Sequence, residues 1–301
     1  MSRVPGPLLS LRPLSHGQAV VAMVGVTAMW SIAGVVTRQL ESARSFEVTF
    51  WRSLFTALAM LALLLPGRGA GVAARIRAGG ALLWVSGLCW SVMFTAFMVA
   101  LTLTSVANVL VVMAAGPLVT ALVARVAVGQ RLARRTWWAI AVAGVGIAWM
   151  YGPQLAAGDW TGSLVALCVP LAAGVNWTVL HHGQGRGQEV DLIPAVLVGA
   201  VLSAVATLPL ALPFSATPRD IGWLALLGLV QLAVPCVLAM HCARALQAPE
   251  VALLALLEVI FGIALAWLIV GEAPGGTVLA GGALVIAALL ANELPRLRRP
   301  G

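Results

Sequence analysis

The chain has 301 residues, of which 61% are hydrophobic and 9% are charged, and its formal net charge is +8. A soluble domain of this length carries roughly 25% charged residues because it has to present a hydrated surface. The composition therefore excludes a soluble protein and predicts one that is solvated by lipid. Every basic residue is an arginine, so a lysine Schiff base and a nucleotide-binding P-loop are both excluded.

Apolar runs long enough to cross a bilayer recur along the chain with short breaks. About 20 helical residues span ~30 Å of hydrocarbon, and continuous rather than alternating runs favour helices over a β-barrel. We predict an all-α polytopic membrane protein with ten transmembrane helices. In chain order the predicted spans are Gln18–Thr37, Phe46–Leu65, Gly79–Leu101, Ser105–Ala124, Thr136–Gly152, Trp160–His182, Ile193–Pro213, Ile221–Ala245, Glu250–Val270 and Gly276–Asn292.

The arginines are distributed unequally between the two sides of this topology. One side holds both termini and the loops after the even-numbered spans, with fourteen arginines, and the other side holds three, namely Arg38, Arg44 and Arg219. Cytoplasmic loops carry the excess of positive charge. We therefore expect both termini in the cytoplasm of a bacterial-type inner membrane, and we expect the basic residues to set topology rather than to bind nucleic acid.

The predicted spans divide near residue 153 into two sets of five. Because five is odd, the second set enters the membrane from the opposite side, as in transporters built from inverted repeats. We predict a cytoplasmic N-terminal segment at 1–17, a first repeat at 18–152, a second, inverted repeat at 153–292 and a basic cytoplasmic tail at 293–301.

Several short motifs support this division. Helix ends of the form Gly-[Glu/Gln] occur at Gly129-Gln130 and Gly271-Glu272, the run Ala248–Ala252 precedes Glu258, and Trp30, Arg52 and Pro117 lie within the first, second and fourth spans. Over essentially the whole chain this ordered set resembles the EamA-type branch of the drug/metabolite transporter superfamily. Within it, the chain looks most similar to exporters of aromatic and other neutral amino acids. Departures occur at Gln130, where the family often has Glu, and at Val259, where proline is common.

The resemblance implies a secondary transporter that exports small neutral, partly apolar metabolites by alternating access, as a facilitator or with weak proton coupling. A multidrug or other metabolite exporter of the same fold is the alternative, and an intramembrane enzyme is a weaker one, because H-E-x-x-H and G-x-S-x-G are both missing from the sequence. The expected partners are a small-molecule solute and the lipid bilayer. We expect no cofactor, no metal and no catalytic residue.

Candidate solute-binding residues are aromatic or polar and lie at depth within the predicted spans. An aromatic stripe at helical spacing walls an apolar pocket or simply packs the bundle, and amides near the midplane bind a solute or bond neighbouring helices. The candidates are Trp30, Ser31, Trp90, Phe94, Asn108, Met113, Asn176, Trp177, Gln231, His241 and Glu258.

Two charged residues lie more than one helical turn from the ends of their predicted spans. Glu258 lies about eight residues into the ninth span, where an acid costs on the order of 3 kcal/mol. It either titrates during transport or makes a structural pair, with His241 and Arg244 as the expected partners. Arg52 lies near the start of the second span, and we expect its long side chain to snorkel to the outer headgroups.

The fifth and tenth spans are rich in small residues, including Ala139, Ala143, Ala283 and Ala287. Such faces permit close helix approach. They serve packing within the bundle or a homodimer interface, and the sequence leaves both open.

Overall fold

The computed structural model describes residues 14–37, 39–43, 45–65, 71–103, 109, 112–113, 115–129, 131–151, 160–185, 192–270 and 276–297. Every regular element in these ranges is helical. In chain order the elements are α1 (His16–Trp30), α2 (Ile32–Thr37), α3 (Ser45–Leu64), α4 (Val72–Ala78), α5 (Gly80–Leu103), α6 (Gly116–Val128), α7 (Arg134–Tyr151), α8 (Trp160–Gly185), α9 (Ile193–Ala211), α10 (Pro218–Leu226), a π-helical segment (Leu227–Ala233), α11 (Val234–Cys242), α12 (Ala248–Ala255), α13 (Leu257–Leu265), a second π-helical segment (Ala266–Val270) and α14 (Gly276–Leu297).

Seven helical stretches within the described residues are long and apolar enough to cross a membrane. They are His16–Thr37, Phe46–Leu64, Gly80–Ala100, Thr161–His181, Ile193–Ala211, Pro218–Cys242 and Glu250–Ile269, and each coincides with a predicted span. Two shorter apolar helices, Gly116–Val128 and Leu279–Asn292, overlap the fourth and tenth predicted spans. An all-helical membrane protein is therefore confirmed, and the count of ten spans remains a prediction.

Local sequence explains several helix ends. At the start of α1 the amide of Gln18 donates to Ser15 Oγ at 3.3 Å and the Ser15 amide donates to Gln18 Oε1 at 3.0 Å, a reciprocal capping box. Thr217 and Asp220 form a second box at the start of α10. At the other end of a helix, Gly129 terminates α6 with φ of 68°, a conformation that glycine adopts without steric cost.

The helices pack into one bundle in which the two predicted repeats are interleaved. α5 contacts both α8 and α9, α3 contacts α9, and α6 contacts α8 and α12. α1 in turn contacts α11, α12 and α13. The principal core is shared by both repeats, because it joins buried side chains such as Met23 and Trp90 to Trp177, Val196 and Leu253.

The small residues of the fifth and tenth spans are only partly packed within the bundle. α7 lies along α14, and a Cβ added at Gly146 would come within 2.7 Å of the Gly281 carbonyl oxygen. Ala139 and Ala143 of α7 are buried, whereas Ala283 and Ala287 of α14 are exposed. Contact between these two helices therefore accounts for the small residues of α7, and a homodimer stays an untested expectation.

Candidate functional site

A cavity of about 150 Å³ lies in the interior of the bundle. Seven predicted binding residues line it: Trp30, Trp90, Phe94, Met113, Trp177, Gln231 and Glu258. Eight further residues complete the wall: Arg52, Met93, Phe97, Val169, Ala173, Leu232, Cys236 and Ala255. Residues from both predicted repeats therefore share one cavity, which is mostly apolar and aromatic and carries one arginine and one glutamate.

Two predicted spans depart from regular α-helical hydrogen bonding where they reach this cavity. In the ninth span the Leu256 amide bonds back to Leu253, three residues earlier, instead of continuing the α-helical register. The eighth passes through the π-helical segment that carries Gln231. Interrupted helices at membrane depth are tolerated where they line a cavity, and in transporters they form solute sites.

A proline explains the interruption in the eighth span. Pro235 has no amide hydrogen to donate to the carbonyl of Gln231, four residues earlier. The amide of Val234 bonds instead to the carbonyl of Leu229, five residues earlier, which is the π-helical pattern. The local sequence therefore places Gln231 on a distorted turn facing the cavity.

The aromatic wall is formed by neighbouring side chains of α5 and α8. Trp90 meets Trp177 edge to face, with ring centroids 5.6 Å apart and an interplanar angle of 89°, and it lies 5.5 Å from Phe94. α9 packs closely against α5 behind Trp90, because a Cβ added at Gly199 would stand 2.4 Å from Trp90 Cβ. This packing holds Trp90 in place against the cavity.

Arg52 points inward, so the expectation that it snorkels to the outer headgroups was wrong. Its side chain is 3% exposed and its Nη2 donates to the carbonyl of Phe94 at 3.0 Å. The backbone of α3 is held against the π-helical segment, because an added Cβ at Gly228 would lie 2.8 Å from the Arg52 carbonyl oxygen. This packing directs the long side chain towards the cavity instead of the membrane surface.

Glu258 faces the cavity from α13 and lies within electrostatic range of Arg52. The expected partners, His241 and Arg244, are half-buried and do not line the cavity. The charged group that lies within electrostatic range of Glu258 thus comes from the second predicted span rather than the eighth. Hydropathy alone offers no sign of which helices meet.

The polar candidates divide between the cavity and the helix contacts. Gln231 is 5% exposed and its Nε2 donates to the Trp30 carbonyl at 3.3 Å. The Ser31 hydroxyl donates to the carbonyl of Ala28 at 2.7 Å, so it is engaged within its own helix. Asn176 accepts a hydrogen bond of 2.6 Å from Ser86 and joins α8 to α5. Neither Ser31 nor Asn176 lines the cavity.

One candidate, Asn108, lies outside the described residues.

Two wall residues that the sequence analysis did not select could have been found from their spacing along α8. Val169, Ala173 and Trp177 are spaced four residues apart on α8, which places them on one helical face. Extending the face of Trp177 backwards would have found the other two.

The sequence profile of the EamA-like transporter family matches residues 17–152 and, a second time, residues 160–292. The chain belongs to the EamA-like transporter family. Both segments contribute to the cavity, the first through Trp30, Arg52 and Trp90 and the second through Trp177 and Glu258. This EamA protein is therefore a multi-pass membrane transporter rather than an enzyme, with a small-molecule solute and the bilayer as its partners.

Individual relatives agree with the family. The EamA protein is 24% identical over 273 residues to the pseudopaline exporter CntI of Pseudomonas aeruginosa strain UCBPP-PA14, covering 91% of this chain and 93% of the relative. The same figures hold for CntI of strain PAO1. A crystal structure that is 16% identical has a TM-score of 0.76 and covers 95% of this chain and 100% of its own; at this identity the likeness shows the fold alone.

Proposed function

We propose that this EamA protein is a secondary transporter that exports small neutral, partly apolar metabolites, foremost aromatic and other neutral amino acids. The observation that carries the proposal is the cavity between the two family-matched segments, whose wall includes Trp30, Trp90, Phe94 and Trp177. Aromatic side chains supply large apolar contact area at defined geometry. A mostly apolar cavity with a few polar groups is typical of a small-molecule site.

The proposed mechanism is alternating access by two inverted repeats of five spans. Exchanging the repeats converts the contact of α5 with α8 into that of α11 with α1, and it converts α6 with α8 into α12 with α1; all four contacts are present. It also converts α5 with α9 into the π-helical segment with α3, again a contact pair. This pseudo-symmetric packing supports the proposal, because exchange of two equivalent arrangements opens a central site to either side.

The proposed orientation places both termini in the cytoplasm of an inner membrane. The excess of arginines on the predicted cytoplasmic side supports it. Export as the direction of transport is supported by the two relatives named as exporters. Facilitated diffusion and weak proton coupling remain alternatives, with Glu258 as the group that would carry a proton.

The relatives favour a second candidate, export of a metabolite other than a proteinogenic amino acid. Their name assigns pseudopaline to them, and the similarity extends over 91% of this chain. Pseudopaline therefore belongs in the set of solutes to be tested beside the neutral amino acids.

The deciding experiment is uptake of labelled solutes into proteoliposomes that hold the purified full-length protein, with and without an imposed pH gradient. We expect saturable flux of phenylalanine or tryptophan, above that of protein-free liposomes. Flux of pseudopaline without flux of any amino acid would favour the second candidate. Flux of neither would contradict both solute assignments.

A further inference from the structure

The cavity contains an arginine that is buried without being fully hydrogen-bonded. Arg52 is 3% exposed, and its Nη2 is engaged by the Phe94 carbonyl. Its Nε is buried and has no hydrogen-bond partner among the described residues. A guanidinium at membrane depth is costly and is normally paired, and in Arg52 the described residues leave part of the donor capacity unused.

The same cavity contains an acidic residue whose hydrogen-bonding capacity is also not used by the described part of the protein. Glu258 lines the cavity, and within the described part of the chain no hydrogen bond or ion pair joins its carboxylate to a protein group. Arg52 and Glu258 interact electrostatically, but no hydrogen bond or ion pair joins their side chains. A buried ion pair compensates its desolvation only when the two groups meet with good geometry. The cavity therefore holds one guanidinium group and one carboxyl group that do not pair with each other.

We propose that the cavity binds its solute as a zwitterion, with the solute carboxylate on Arg52 and the solute ammonium on Glu258. The guanidinium recognises carboxylates through paired donors, and the ammonium supplies donors to the Glu258 carboxylate. The side chain of the solute then lies against Trp90 and Trp177. This assignment rests on the proposed function and specifies which part of an α-amino acid each protein group recognises.

A solute with both charges compensates two intramembrane charges at once. A solute that carries only one charge leaves the opposite protein charge uncompensated in a low-dielectric cavity, which is strongly unfavourable. The arrangement thus selects amino acids over organic acids, amines and neutral aromatic compounds of similar size. The competing explanation gives Arg52 only a structural task, holding α3 to α5 through the Phe94 carbonyl.

The test is competition for labelled phenylalanine bound to the purified full-length protein in detergent, where membrane permeability does not interfere. The competitors are unlabelled phenylalanine, phenylalaninamide, which lacks the carboxylate, and 3-phenylpropionate, which lacks the amine. Hydrogen bonds to charged groups are worth enough that losing one weakens binding about tenfold or more. We expect both analogues to compete at least about tenfold more weakly than phenylalanine.

Variants test which protein side chain recognises the carboxylate of the solute and which recognises its ammonium group. Arg52→Gln should remove the preference for phenylalanine over its amide, Arg52→Lys should retain part of it, and Glu258→Gln should remove the preference over 3-phenylpropionate. Matched controls are Arg219→Gln and Glu41→Gln, because these two residues form an exposed ion pair of 2.7 Å and do not line the cavity. A purely structural Arg52 would lower the amount of folded protein without changing the order of the competitors.

The outcomes separate this inference from the proposed function. Equal competition by all three compounds in the wild-type protein overturns the zwitterion site and leaves amino-acid transport standing. Absence of phenylalanine binding, together with absence of amino-acid flux in proteoliposomes, overturns both. The wild-type comparison needs no variant, so it decides the question even if Arg52→Gln does not fold.

Discussion

The carboxylate of Glu47, in the first turn of α3, is held by Ser215, which donates to it from its backbone amide at 3.0 Å and from its hydroxyl at 2.8 Å. The amide of Ala216 adds a bond of 2.8 Å. Asp220 makes the reciprocal contact, accepting from the amides of Glu41 at 2.8 Å and Ser42 at 3.1 Å. We call these six residues the loop clasp. It joins the α2–α3 connection to the α9–α10 connection, so it ties the two repeats together at one end of the bundle.

Removal of the Glu47 carboxylate should destabilise the folded protein. Glu47 is fully buried, and in Glu47→Ala the amides of Ser215 and Ala216 lose their acceptor, at a cost of about 1–3 kcal/mol for an unsatisfied group. We expect a clearly lower Tm in detergent. Glu41→Ala is the matched control, because that side chain is 51% exposed and exposed pairs are worth ~1 kcal/mol at most. Equal Tm values for the two variants would contradict the clasp.

Covalent closure of the loop clasp should stop transport. The Ser42 hydroxyl donates to the Ser215 carbonyl at 2.6 Å, and the Ser215 hydroxyl oxygen lies 2.9 Å from the Ser42 carbonyl oxygen, so Ser42→Cys with Ser215→Cys places two thiols close together. Alternating access requires this end of the bundle to open. We expect oxidation to abolish flux and reductant to restore it, while each single variant stays active. Unchanged flux in fully cross-linked protein would show that the clasp does not open during transport.

The aromatic wall should set affinity for aromatic solutes. Trp90→Ala and Trp177→Ala each remove one partner of the edge-to-face pair, and a single aromatic contact is worth about three- to tenfold in affinity. We expect tryptophan and phenylalanine to bind more weakly, with a smaller change for leucine. Trp138→Ala is the matched control, because Trp138 is 72% exposed. A general loss of folded protein without a change in solute preference would favour a packing role.

Glu258→Gln should flatten the dependence of flux on pH. Among the described residues, the titratable and charged groups that face Glu258 are Arg52 and Cys236. Only the ionised carboxylate attracts a solute ammonium. We therefore expect wild-type flux to rise from acidic to neutral pH, and the flux of the variant to depend less on pH. The measurement is initial uptake at several pH values with the same pH on both sides of the proteoliposome. Identical profiles would exclude a proton-carrying role for Glu258.

The close packing of α9 against α5 behind Trp90 should not tolerate a side chain at position 199. An added Cβ would meet Trp90 Cβ at 2.4 Å and the Gly87 carbonyl oxygen at 2.8 Å, and overpacking of this kind costs about 1–3 kcal/mol. Gly199→Ala should therefore lower the Tm and weaken aromatic binding together. Gly25→Ala has nothing within 4 Å of the added Cβ and should leave the Tm unchanged or raise it, since Gly within a helix is unfavourable by roughly 1 kcal/mol. The same Tm for both variants would refute this account of the packing.

Much of the cavity could be predicted from the sequence, because depth within a span can be counted along the chain. Trp30, Trp90, Trp177, Gln231 and Glu258 lie far from the ends of their apolar runs, where aromatic anchoring and snorkelling are unfavourable. All five line the cavity.

The helix interruptions were partly predictable. Pro235 marks the distorted turn of the eighth span in the sequence itself, whereas the tightened turn at Leu256 carries no proline or glycine. Hydropathy treated both spans as continuous, because an interrupted helix and an intact one have the same composition.

By itself the sequence determined that lipid is the solvent, that helices are the spanning elements and that aromatic residues lie at mid-depth, because hydropathy and spacing are properties of a single segment. Only the tertiary structure decided where Arg52 points and what faces Glu258. A long side chain near a span end can reach the headgroups or the interior with the same local sequence. The outcome is set by the close packing of α3 on the π-helical segment at Gly228 and by the Phe94 carbonyl, both supplied by segments distant along the chain.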